Sequence, residues 1–159
     1  MTDKAFTICL WFDTEGEAAA NYYASIFADS KIGRITRYTE AGPGPAGAVV
    51  TVEFEVNGQK FLALNGGPQY TFNEAISLTI TCADQDEVDY YWSRLAEGGQ
   101  EVACGWVKDR YGLFWQVVPA VLPDMIADPD PQKARRAFEA MFTMTKLDIA
   151  ALQKAYAGG

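Results

Sequence analysis

Residues 6–27 read FTICLWFDTEGEAAANYYASIF and residues 76–99 read ISLTITCADQDEVDYYWSRLAEGG. The first begins with a short run of branched and aromatic residues, too short for a helix and bounded by Asp13, and the second with an alternating run over 76–82; both predict a strand. Each continues with a helix start. Thr14 followed by Glu17, and Asp84 followed by Glu87, have the spacing of a capping box. Ala19, Tyr22, Tyr23, Ile26 and Phe27 then recur on one helical face, ending near Asp29; Val88, Tyr91, Trp92 and Leu95 do the same, stopped by Gly98 and Gly99. An offset of 70 residues places Thr7 over Ser77, Leu10 over Ile80, Thr14 over Asp84 and Tyr22 over Trp92. A duplicated unit explains this most simply, with two merely similar αβ stretches as the alternative.

The intervening residues fill out each half with strands. Residues 31–39 read as a strand, and GPGPAG at 42–47 as a loop. Residues 49–56 and 59–64 flank Asn57-Gly58, the dipeptide of a two-residue type I′ hairpin. In the second half, residues 100–107 and 113–118 read as strands joined by a turn carrying Asp109 and Gly112, with Asp109 fixing the turn. The last forty residues differ. Asp130 caps a helix with Pro131 at its first position and Ala134, Phe138, Met141 and Phe142 on its apolar side; Thr145 with Asp148 starts another carrying Ile149, Leu152 and Tyr156. Such a pair covers an end of the core or a second subunit.

The chain has 159 residues, 49% apolar and 21% charged. That is the profile of one compact domain that needs neither metal nor disulfide for stability. Thirteen basic against twenty-one acidic residues give a net charge of −8, which repels phosphate backbones and anionic headgroups, so nucleic acid and membrane surfaces are not expected partners. The absence of histidine removes histidine-dependent triads and histidine metal sites. Cys9, Cys82 and Cys104 are odd in number and far apart, as suits reduced thiols in a cytoplasmic protein. Asp3 and Lys4 ahead of the apolar run 5–12 do not form a signal-peptide start, and no apolar stretch reaches the roughly 18 residues of a membrane span.

Strand alternation sorts the candidate site residues. Ile76, Leu78, Ile80 and Cys82 should meet the helices, while Ser77, Thr79 and Thr81 should line whatever the sheet encloses. Gln116 lies in an apolar run and needs a partner, which a ligand, a backbone group or water could supply. Trp11 and Trp106 are large anchors that fill core or wall a cleft. In NGGPQYTFNEAIS at 65–77, Gly66, Gly67 and Pro68 permit close backbone approach, and Phe72, Asn73 and Glu74 could line an entrance; an ordinary linker is equally consistent.

The runs LWFD at 10–13, LNGGP at 64–68, FNEAIS at 72–77 and CGWVKDRYGLFWQVVP at 104–119 resemble the 3-demethylubiquinone-9 3-methyltransferase-like, or PhnB-like, branch of the glyoxalase, bleomycin-resistance and dioxygenase superfamily. The resemblance extends over about residues 5–158 in one continuous order. It implies the vicinal oxygen chelate fold, an α+β architecture of paired βαβββ modules whose curved sheets enclose a cavity, usually in a homodimer. On that reading residues 1–159 are one glyoxalase-like domain: a first module over about 5–68, a second over about 74–119, and a helical extension over about 120–159.

Metal-dependent relatives hold a divalent ion with histidine, glutamine and glutamate at four strand positions, which by resemblance fall near Thr7, Phe61 or Leu62, Ser77 and Gln116. None is a carboxylate or an imidazole, so no metal and no cofactor is expected. No GxG follows the first strand, so the motif of a methyl-donor site is missing as well. The leading expectation is a metal-free protein holding a small, partly aromatic molecule. Trp11, Phe72 and Trp106 would form walls, and Asn65, Ser77 and Gln116 the orienting hydrogen bonds. A true enzyme of this fold (lyase, dioxygenase or methyltransferase) and an interaction module with a vestigial cleft stay open.

Overall fold

A computed structural model describes residues 4–159. The chain forms two compact units, Met1–Thr71 and Phe72–Gly159.

In the first unit, β1 (Ile8–Phe12), α1 (Gly16–Ile26), β2 (Ser30–Arg37), β3 (Val49–Val56) and β4 (Gln59–Asn65) build one helix on one four-stranded sheet. The strand order is β1-β4-β3-β2, with β1 parallel to β4 and the rest antiparallel. The Asn57-Gly58 hairpin forms as expected, with φ of 48° and 79°. Alternation puts Leu10, Phe12, Val52, Phe54, Phe61 and Ala63 on the buried face, under Ala19, Ala20, Tyr23 and Ile26 of α1. Tyr23, Phe54 and Phe61 stack in succession, with centroids 6.2 and 5.1 Å apart. The expected Thr14 capping box does not form. Glu15 is the N-cap residue; its carboxylate accepts from the Thr14 amide and caps no helix amide, and the Gly16 amide donates to Asn65 Oδ1 at 2.8 Å. The helix ends at Ile26, a few residues before Asp29.

The second unit repeats the plan with β5 (Leu78–Cys82), α2 (Gln85–Ala96), β6 (Gln100–Glu101), β7 (Trp106–Lys108) and β8 (Phe114–Pro119), in the order β5-β8-β7-β6. Here the cap is local. Asp84 Oδ1 accepts from the Glu87 amide at 3.0 Å, and Glu87 Oε2 reaches back to the Ala83 amide at 2.7 Å. Ile80, Cys82, Val107, Trp115 and Val117 are buried on the α2 face with Val88, Trp92 and Leu95. Ile76 departs from expectation: it precedes the strand and is exposed, because Asn73 Oδ1 accepts from the Ala75 amide and holds 73–75 in a turn. The expected single strand over 100–107 is broken between β6 and β7, where Cys104 and Gly105 adopt φ of 60° and 80°.

Three helices follow, α3 (Leu122–Ile126), α4 (Pro131–Phe142) and α5 (Ile149–Ala157); α3 has no counterpart in the sequence reading. Asp130 caps α4 through the Gln132 and Lys133 amides. Asp148, rather than Thr145, caps α5 through the Ala151 amide. Leu122, Met125, Ala137, Leu147 and Leu152 form a small core that Val118, Ala140, Met141, Met144 and Tyr156 flank. The expected apolar side of α4 is therefore split. Ala137 is buried, while Phe138 and Phe142 stand 46% and 59% exposed and meet each other edge to face at 4.8 Å.

Candidate functional site

Each sheet has one face under its helix and an opposite, open face, although on that face of the second sheet Phe114 is buried and Val118 packs on the extension core. In the second unit Gln116 lies on β8 beside Trp106 of β7 and Thr79 of β5, its register partners, so all three share the open face. Thr79 and Thr81 are exposed there rather than lining a closed interior. Gln116 Nε2 donates to Ser77 Oγ at 2.9 Å in a half-buried setting. That bond uses one donor of the amide and one lone pair of the hydroxyl. Gln116 Oε1 and the Ser77 hydroxyl proton remain, an acceptor and a donor side by side. Trp106 lies half-buried next to them and meets the Phe114 ring at 6.5 Å, and the Lys108 ammonium lies 5.8 Å over Phe114. Phe72 is half-buried ahead of β5.

Asp109 organises the turn that delivers β8. Its carboxylate is 2% exposed; Oδ1 accepts from the Tyr111 and Leu113 amides at 2.8 and 3.1 Å, and Oδ2 from Trp115 Nε1 at 2.8 Å. The turn residue is thus also the anchor of a core tryptophan.

In the first unit Trp11 and Asn65 have local duties. Trp11 Nε1 donates to Gly67 O at 2.9 Å, and its ring meets Tyr70 edge to face at 5.0 Å. A Cβ on Gly66 would lie 2.3 Å from the Trp11 ring, so this glycine serves the tryptophan. Asn65 spends its oxygen on Gly16 and its Nδ2 on Val49 O at 3.2 Å. This open face is charged: a pocket of about 480 Å³ has Thr7, Lys31, Glu53, Glu55, Lys60 and Leu62 among its lining, with Lys31 paired to Glu55 at 3.2 Å.

The register selects Leu62 over Phe61 as the open-face residue, since Leu62 pairs with Cys9 and Phe61 is buried toward α1. Thr7 and Leu62 of the first unit offer a hydroxyl and a hydrocarbon, and Ser77 and Gln116 of the second a hydroxyl and an amide; neither pair has the ligands that a divalent ion requires. Among the described residues no group of three or more cysteines and carboxylates could hold a metal. Cys82 is not a nucleophile at neutral pH. Burial, then the charges of Glu87 and Asp84, push its thiol up to about 11. Partial burial also raises the Cys9 thiol.

Strand order and residue pattern agree with comparison to known proteins. A family model described as 3-demethylubiquinone-9 3-methyltransferase matches residues 4–118. The chain belongs to that family. Its fold is that of the glyoxalase, or vicinal oxygen chelate, proteins. The PhnB protein of Bacillus cereus is 35% identical, with 74% of this chain covering 100% of that one at a TM-score of 0.67. Protein PA1353 of Pseudomonas aeruginosa, 18% identical over 74% of this chain and 98% of its own (TM-score 0.60), shares the fold. So does the fosfomycin resistance protein FosX of Listeria monocytogenes, 17% identical over 78% and 97% (TM-score 0.51). No curated protein sequence matches. The parallel αβ sheet and glycine-rich turn of the usual methyl-donor site are not found among the described residues: β1 and β5 each have a single, parallel neighbour, and Trp11 fills the space beside Gly66. No helix among the described residues is long and apolar enough to cross a membrane.

Proposed function

We propose that this family member binds a small, uncharged, partly aromatic molecule on the open face of its second unit. Trp106 and Phe72 supply apolar wall, and Gln116 and Ser77 orient a hydroxyl or carbonyl. The observation that carries this reading is the Gln116–Ser77 bond, which leaves an acceptor and a donor adjacent beside a half-buried indole. A net charge of −8 disfavours an anionic ligand. Trp11 and Asn65 stand outside this site and hold the 65–68 bend and the start of α1 in the first unit. The same reading takes residues 1–159 as one glyoxalase-like domain acting as a cytoplasmic homodimer. The three free cysteines support the compartment, and the exposed Phe138–Phe142 pair supports association.

Titration calorimetry with phenol, catechol and 2,6-dimethoxyphenol tests the site. The native protein should bind at least one saturably, and Gln116→Leu should weaken binding by about tenfold or more with little change in melting temperature, because the amide satisfies no buried backbone group. Ser77→Ala should act in the same direction. A large drop in melting temperature with unchanged binding, or no binding of any of the three at millimolar concentration, would overturn the assignment.

A further inference from the structure

The family match ends at residue 118, and the helical extension beyond it returns to the candidate site through a segment that also gives Leu147 to the extension's core. Between α4 and α5 the chain crosses the second unit. Met144 O and Thr145 O accept from the Cys104 and Gly105 amides, both at 2.8 Å. Those two residues form the left-handed corner that ends β6 and aims β7, and Trp106 follows immediately. The corner is also tied to β8, since Gly105 O accepts from the Val117 amide, next to Gln116, at 2.8 Å. Leu147 is buried against it: a Cβ on Gly105 would meet Leu147 Cδ1 and Val117 O at 2.9 Å.

A second set of bonds holds the crossing segment from the other side. Gln85, the first residue of α2, donates from Nε2 to Leu147 O at 3.1 Å and accepts the Ile149 amide at 2.8 Å. Beside it Lys146 pairs with Asp89 at 2.7 Å. A non-glycine residue with positive φ, such as Cys104, is held there only when its surroundings over-determine it; the Val102–Trp106 and Trp106–Ala103 backbone bonds span the corner locally, and the Met144 and Thr145 carbonyls hold its two amides from outside. Val118, on the same face as Gln116 and two residues further along, packs on the extension core.

We propose that residues 144–149 are a clasp, with Gln85 and Leu147 as positioning residues, that fixes the Cys104–Gly105 corner and so sets the direction of Trp106 and Gln116. The extension thereby determines which ring shapes the open face accepts. The selectivity half of this proposal rests on the binding site proposed above; the clasp itself does not.

The test uses the full chain labelled with nitrogen-15 and with 5-fluorotryptophan, the Trp106 resonance being assigned through Trp106→Phe. In Gln85→Ala, and independently in Gly105→Ala, the Cys104 and residue-105 amides should exchange at least tenfold faster. The Trp106 fluorine resonance should shift, while Ile80 and Leu95 amides and the Trp92 resonance stay in place. Affinities for phenol and 2,6-dimethoxyphenol should change in ratio, not merely together. Unchanged exchange and an unchanged Trp106 resonance in Gln85→Ala would overturn the clasp, as would a uniform acceleration of all amides. A responsive corner in a native protein that binds none of the phenols would sustain the clasp and sink the binding site. A responsive corner with an unchanged affinity ratio would sink the selectivity claim alone.

Discussion

Asp109→Asn removes one negative charge and almost no volume, yet three donors converge on this carboxylate: the half-buried Tyr111 amide and the buried Leu113 amide and Trp115 Nε1. An asparagine has one carbonyl oxygen. If that oxygen replaces Oδ1, the new NH₂ faces the Trp115 N–H, and an indole that is 4% exposed loses its acceptor. If it replaces Oδ2, two backbone amides lose theirs. The less costly orientation orphans one buried donor at about 1–3 kcal/mol and turns two bonds to a charged group into neutral ones, at roughly 1 kcal/mol each. Relief from burying a charge offsets part of this, leaving about 2–4 kcal/mol.

For a chain of this length each kcal/mol moves the melting temperature by about 2–4 °C, so Asp109→Asn should melt about 4–16 °C below the native protein. Asp109→Ala, which orphans all three donors, should be worse. Calorimetric melts at neutral pH measure both, and a double-mutant cycle with Trp115→Phe isolates the indole bond. In the Trp115→Phe background the asparagine can turn its oxygen to the two backbone amides, so its cost should shrink by about 1–3 kcal/mol. A melting temperature within about 2 °C of native, or the same cost in both backgrounds, would refute the reasoning.

Asn65→Ala should cost about 0.5–2 kcal/mol through the lost α1 cap, and Asn65→Asp, which keeps the Oδ1 acceptor, should recover part of it; thermal melts with both variants equally unstable would count against the capping role. The Asp128–Tyr156 contact gives the extension a pH window. The Tyr156 hydroxyl, then the Asp130 amide, hold the Asp128 carboxyl below its ordinary 3.8, so its contribution is present above that value and lost as pH falls through the lower folded one. The Asp128 bond raises Tyr156 above 10.0, so its contribution is present below that value and lost as pH rises through the higher folded one. The melting-temperature gap between native protein and Tyr156→Phe should therefore be open across neutral pH and close at both ends; a gap indifferent to pH would contradict this.

Local signals in the sequence translated directly into structure. Asn57-Gly58, Asp84 with Glu87, and Asp130 with Pro131 each carry their turn or cap within a few residues. Thr14 with Glu17 has the same form and fails: α1 starts one residue later, and Asn65, 49 residues away and brought beside Phe12 by the β1–β4 pairing, accepts the Gly16 amide instead. The break at Cys104–Gly105 was illegible for the same kind of reason. Nothing in ACGWV marks a left-handed cysteine; its support from outside the corner comes from Met144 and Thr145. Alternation paired with apolarity placed Gln116 on a face and demanded a partner for it, and Ser77 supplies one. The same logic put Ile76 in the core, where a side-chain turn at Asn73 overrides the period.

The two units answer one topological problem differently, and the difference bears on which face suits the proposed ligand. Matching registers align Phe12 and Asn65 with Cys82 and Pro119, Cys9 and Leu62 with Thr79 and Gln116, and Glu53 with Trp106. In the first unit the end of β4 is committed to capping α1 through Asn65. In the second, Asp84 caps α2 from within its own segment, so the end of β8 is free to carry a proline, which has no acceptor side chain, and to continue into the extension. The open faces diverge in parallel. Leucine and glutamate occupy the middle of the first, beside a Lys31–Glu55 ion pair, where the second has an amide and an indole. A neutral aromatic molecule gains apolar contact and a directed hydrogen bond on the second face, whereas on the first it would have to displace water from charged groups for little return. Local capping of α2 freed the strand end that leads into the extension, and the extension in turn secures the corner before Trp106.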